Sequence, residues 1–158
     1  MDTVRTAQPP VTGGWLATMP RAARQRVLSV AIASRRDAGS EIIREGDRAT
    51  MLGIVQEGRA ALQLLIPERG RMTIATAERG DVFGLSALVP PHRATMSVVA
   101  MEEMELLMVD ADTLRTAFAE DCELTAAVYF AVARELHRRL TATQEMLLDQ
   151  LASPSSPF

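Results

Sequence analysis

From Gly80 to Thr95 the chain reads Gly-Asp-Val-Phe-Gly-Leu-Ser-Ala-Leu-Val-Pro-Pro-His-Arg-Ala-Thr, and here residue types and spacing point to chemistry. Phe83-Gly84 ends a β-like run with a residue that lets the backbone approach something closely. Ser86 to Val89 suit one short helical turn, and Pro90-Pro91 stops it. The start of a helical turn presents unpaired N–H groups and partial positive charge, which suits phosphate. Ser86 adds a hydroxyl, and Arg93 adds a guanidinium able to grip an oxyanion with two parallel hydrogen bonds. The chemistry expected is anion binding. Plainer readings stand beside it: Arg93 pairs with a carboxylate, for which Asp81 is the acid within the segment, or lies in solvent, and Ser86 only caps the turn. The whole chain offers two histidines and one cysteine, Cys122, too few for a protein metal site. No nucleophile–base pair or carboxylate dyad stands out, so no catalytic residue is assigned and no enzyme is expected.

The elements that must position this segment are read from periodicity. Trp15, Leu16, Met19, Ala23, Val27, Leu28 and Ile32 recur at three- and four-residue steps, which predicts a helix starting near Pro20. Glycines then fall at 39, 46, 58, 70 and 80, bounding β-leaning runs at Glu41–Arg44, Leu52–Gln56, Ala60–Ile66 and Met72–Ala77. Two more runs, Thr95–Ala100 and Glu105–Val109, follow the segment. Seven or eight short strands with regular turn signals predict a barrel or sandwich. Asp110 or Asp112 can cap a short helix near 112 to 119, and a long helix runs from about Cys122 to Leu151. That helix would span roughly 45 Å, more than a small roll can cover, so part of it must project or pack on a partner.

Composition narrows the classes. The formal net charge is -3, against a nucleic-acid module. The local cluster Arg134, His137, Arg138, Arg139 is expected to form a solvated or interchain salt-bridging face, with His92 and His137 in solvent. A single cysteine excludes an internal disulfide and fits a reducing cytoplasm, with Cys122 at a helix start or in the core. No run approaches the ~20 apolar residues of a membrane span. There is no lysine, and the arginine-for-lysine bias suggests a GC-rich, bacterial coding sequence.

Phe83-Gly84-Leu85-Ser86-Ala87-Leu88 followed by Arg93-Ala94-Thr95 resembles the phosphate-binding cassette of cyclic-nucleotide-binding domains, as in the catabolite activator protein and the regulatory subunit of protein kinase A. That family reads Phe-Gly-Glu-Leu/Ile-Ala-Leu, then Arg-Ala/Ser/Thr-Ala. Glu45-Gly46-Asp47 and Ile54-Val55-Gln56-Glu57-Gly58 match its earlier turns, so the resemblance covers nearly the whole folded region. It implies an α+β, mainly β fold: a double-stranded β-helix, or jelly-roll-like β-roll, with one helix before it and helices after it, the last one long. The implied organisation is a flexible arm over 1–14, the roll with its flanking helices over 15–121, a dimerisation helix over 122–152 and a frayed tail over 153–158. The implied ligand contacts are Gly84, Leu85, Ser86, Ala87, Arg93 and Ala94, with no cofactor and with cyclic AMP or cyclic GMP as ligand.

Two departures bear on function. The family's cassette glutamate accepts the ribose 2′-hydroxyl, and here that position is Leu85. Such a charge-assisted bond contributes ~1.5–3 kcal/mol, so its loss implies roughly ten- to a hundredfold weaker binding of a ribose-bearing ligand. The chain also stops at Phe158, without the DNA-binding domain that follows the long helix in the activator. Tyr129, Ala133, Leu136, Leu140, Thr143, Leu147 and Gln150 form a heptad-like seam on that helix, and a homodimer is expected through Tyr129, Ala133, Leu136, Leu140 and Leu147. The leading expectation is a ligand-sensing regulatory domain that relays binding through the last helix. The alternative is a degenerate member that binds no nucleotide and serves as a dimeric scaffold or adaptor.

Overall fold

The computed structural model describes residues 13–153. Residues 1–12 and 154–158, most of the expected arm and tail, lie outside the described residues. After a 3-10 turn at Leu16–Thr18 come α1 (Arg21–Ser29) and the strands β1 (Ala31–Arg36), β2 (Glu41–Ile43), β3 (Met51–Glu57), β4 (Ala60–Ile66), β5 (Gly70–Ala77) and β6 (Val82–Phe83). A second 3-10 turn at Leu85–Ala87 precedes β7 (Ser97–Ala100), β8 (Met104–Asp110), α2 (Ala111–Glu120) and α3 (Cys122–Ala152).

The eight strands form two antiparallel four-stranded sheets, ordered β1-β8-β3-β6 and β2-β7-β4-β5. This is the mainly β roll that the sequence implies. The inner strands of the first sheet, β3 and β8, are covered on both faces, and β8 shows how. Successive strand side chains point to opposite faces. Met104, Leu106 and Met108 enter the core between the sheets with Val55, Leu62, Phe83 and Val98. Leu107 and Val109 enter a second core, against the helices, with Leu52, Ile54, Leu16 and Val27. A strand buried on both faces reads as an apolar run rather than an alternation, which is why β3 and β8 do so. Met101 lies outside both cores, exposed beyond the end of β7.

One sequence expectation is corrected. Ile32 belongs to β1, not to the first helix. The helix stops at Ser29, and the chain from Ala31 pairs with β8 from Ala31↔Val109 to Arg36↔Met104. Ile32 matched the helical spacing by coincidence, and as a residue of an edge strand it is largely exposed.

The helices start where side chains can satisfy their first N–H groups. Asp110 accepts from the Thr113 N–H at 2.8 Å, and Asp121 accepts from the Leu124 N–H at 3.0 Å. Two backbone N–H groups and the Thr113 hydroxyl hold the exposed Asp110 carboxyl below its usual range, the Thr113 bonds being the main cause. Cys122 is the exposed first residue of α3. The first half of α3 is seated by Leu124, Val128, Ala131 and Val132, all buried in the helical core, and Trp15 Nε1 donates to the Ala131 carbonyl at 3.1 Å. Beyond Val132 no described residue of α3 is fully buried.

Candidate ligand site

Gly84 has φ +79°, which L side chains rarely adopt. A Cβ here would stand 2.5 Å from the Met51 carbonyl oxygen, so the glycine lets the segment cross β3 closely. Gly53 serves similarly at its register partner: a Cβ there would meet the Phe83 ring at 2.0 Å. The 3-10 turn that follows directs Leu85 and Ala87 into the helical core. The Pro90–Pro91 peptide is cis. His92 has φ +58°, and its backbone is fixed by bonds to the Val89 carbonyl and the Ala49 N–H. Expected in solvent, the His92 ring is instead half-buried, and its Nδ1 has no partner among the described residues.

Beside this turn lies a cavity of about 290 Å³. Of the residues singled out in the sequence, Gly84, Leu85, Ser86 and Ala94 line it, and Ala87 and Arg93 do not. Ala87 is fully buried behind the turn. Arg93 is exposed and donates through Nη1 to the Gly46 carbonyl at 3.0 Å. It is tied to the Glu45-Gly46-Asp47 turn by neighbours as well, since the Ala94 N–H donates to the Asp47 carbonyl at 2.9 Å. Leu85, at the position of the family's glutamate, is only 3% exposed and offers no acceptor. Most of the remaining wall is apolar, from Ile43, Leu62, Phe83, Met96 and Val98.

Residues from the last helices also reach this segment. Tyr129 Oη on α3 donates to the Leu88 carbonyl at 3.1 Å, and Arg115 Nη1 on α2 donates to the Ala87 carbonyl at 2.7 Å. Arg139 on α3 donates through Nη2 to the Val82 carbonyl and through Nε to Glu135 Oε1 at 2.8 Å. Leu136 and Arg139 line the cavity. In the sequence these two sit in a dimer seam and a solvated basic cluster, and helical spacing alone does not say which surface a helix face meets. The i,i+3 pairing of a leucine with an arginine is the only signal the sequence holds. Glu135 accepts from both Arg138 and Arg139. Its burial pushes the carboxyl up, but the Arg138 hydrogen bond and the two guanidinium charges outweigh that and hold it below the usual range.

Residues 35–121, more than half of the chain, match the Cyclic nucleotide-binding domain family. The chain therefore belongs to that family of regulatory, nucleotide-binding domains. Over 102 residues it is 30% identical to cGMP-dependent protein kinase, isozyme 1, of Drosophila melanogaster, a match covering 63% of this chain and 13% of that kinase. A cyclic nucleotide-binding domain from Methylobacillus flagellatus KT superposes with a TM-score of 0.76 at 19% identity, covering 83% of this chain and 74% of that one. The regulatory domain of Toxoplasma gondii PKA with cAMP superposes with a TM-score of 0.59 at 24% identity, covering 65% and 39%. No helix among the described residues is long and apolar enough to cross a membrane.

Proposed function

We propose that the chain is a ligand-sensing regulatory module that binds a small phosphorylated molecule of the cyclic AMP or cyclic GMP class at the Gly84–Ala94 segment and relays it through α3, without catalysis. The observation that carries this is the set of bonds from the last helices to the segment: Arg139 to Val82, Arg115 to Ala87 and Tyr129 to Leu88. A ligand that shifts this backbone alters the seat of both helices. Such a shift follows only if the ligand binds the two helix arrangements with different affinity. Arg93 reaches an incoming phosphate by giving up the Gly46 carbonyl, an exposed bond of modest net worth. Leu85 supplies no ribose contact, so binding is weak for the family.

A second reading, a dimeric scaffold acting through α3 that binds no nucleotide, is favoured by buried Leu85 and by the exposed Leu136, Leu140 and Leu147. Isothermal titration with cyclic AMP and cyclic GMP separates the two readings. Saturable heat that Arg93→Ala abolishes supports the sensor. Absence of heat and of thermal shift at millimolar nucleotide rejects it in favour of the scaffold.

A further inference from the structure

A second cavity of about 260 Å³ lies between α3 and the β4–β5 face, walled by Leu64, Ile74, Ala142 and Met146 among others. It shares Leu62, Met96 and Arg139 with the cavity beside the turn, so these three side chains stand between the two spaces. Each space alone is small for an organic ligand, while together they fall within the usual range of about 300–1,000 Å³. Among the described residues, Arg139 is the only charged one lining the first cavity. In the second, the charged groups are Arg138, Arg139 and Asp81, and the Asp81 carboxylate already accepts from the Glu78 N–H at 2.8 Å.

Arg139 is also the cation that can be spared. Glu135 binds Arg138 through both carboxylate oxygens, at 3.0 and 2.7 Å, and takes Arg139 as a further partner. If Arg139 turns to another anion, Glu135 keeps a bidentate guanidinium and no buried charge is orphaned, while the buried Val82 carbonyl gives up its donor. Among the described residues, two of the five N–H donors of Arg139 are engaged, by Glu135 and Val82. The same rotation removes the polar part of the wall between the two apolar spaces.

We propose that the two cavities form one site beneath α3 for an amphipathic organic anion. Its charged group is held by Arg139, and its apolar body lies against Leu62 and Met96 and extends toward Ile74 and Met146. The proposal shares the first cavity with the sensor reading but requires neither Arg93 nor phosphate recognition. Decanoate, kept below its micellar concentration, is the probe, titrated by calorimetry against the full chain beside cyclic AMP and cyclic GMP. Saturable decanoate binding is expected. Arg139→Ala should weaken it about tenfold or more through loss of a charge-assisted bond. Ala142→Trp, at an exposed helix position, should weaken it comparably by filling the second space while leaving any cyclic AMP binding unchanged. Arg93→Ala should not alter it. Circular dichroism and thermal midpoints establish that each variant is folded, and should Arg139→Ala fail, Ala142→Trp still decides. No saturable decanoate binding by the wild type overturns the proposal whatever cyclic AMP does. Unchanged affinity in either folded variant also overturns it, since the fatty anion is then bound elsewhere. Binding of either cyclic nucleotide without decanoate binding leaves the sensor reading standing alone, and decanoate binding without either nucleotide removes that reading and keeps this one.

Discussion

At Gly84 a positive φ and a carbonyl at 2.5 Å from any added Cβ act together, and the obstructing atom belongs to the backbone of β3, which cannot turn aside as a side chain would. Gly84→Ala should therefore cost at least ~2 kcal/mol, since a left-handed non-glycine residue alone costs roughly 1–2 kcal/mol. Urea unfolding measures it, and a loss under about 0.5 kcal/mol would mean that the turn shifts away from β3 freely. This glycine was legible in the sequence, because Phe-Gly before a short turn carries its own conformational signal. The replacement at Leu85 was equally legible. What stayed hidden at this scale was the orientation of Arg93 and the arrival of Arg139. A motif fixes which residues are near one another along the chain, but a guanidinium on a long side chain takes whichever carbonyl or carboxylate the fold offers.

Among the elements, α3 is held in two different ways along its length. Its first half is anchored by apolar burial, and the next turns are held by the Glu135, Arg138 and Arg139 cluster, with Glu135 and Arg139 only 11% and 22% exposed in their side chains. Because the folded Glu135 carboxyl titrates below an unfolded glutamate at about 4.3, the cluster contributes fully above that pH. Its contribution is lost as the pH falls through the lower folded value. Glu135→Gln should accordingly lower the thermal midpoint at pH 7 and flatten its decline below about pH 4.3, relative to the wild type. Superimposable profiles for the two proteins would show that the cluster adds nothing to the seat of α3. Strands β2 to β5 were readable because glycine turns bound them. β1 was not, because Ile32 continued a helical spacing and an edge strand lacks the apolar run that marks a strand buried on both faces.

On the scale of the molecule, Leu136, Leu140 and Leu147 share one exposed side of α3, at 41%, 56% and 54% exposure. A second copy meeting this seam would cover it, and a dimer through α3 is expected. Sedimentation equilibrium should show a concentration-dependent dimer that the pair Leu140→Glu and Leu147→Glu reduces to monomer. A wild type that stays monomeric at tens of micromolar rejects the dimer, and a dimer indifferent to the pair places the contact elsewhere. The order of helix, roll and long helix could be read from the sequence, whereas the course of α3 across both cavities depends on contacts between distant segments that no local pattern encodes.

The bond from Trp15 to Ala131 crosses 116 positions, and among the described residues β1 pairs with β8 alone. On a ribosome adding about 5–20 residues per second, α1 and β1 emerge on the order of ten seconds before the segments that complete them. Through that interval the nascent chain carries the bare apolar face of α1 and an unpaired strand edge. Elements made long before their partners are thus closed late, and synthesis leaves a window in which chaperone contact or misassociation competes with the native partner still to be made.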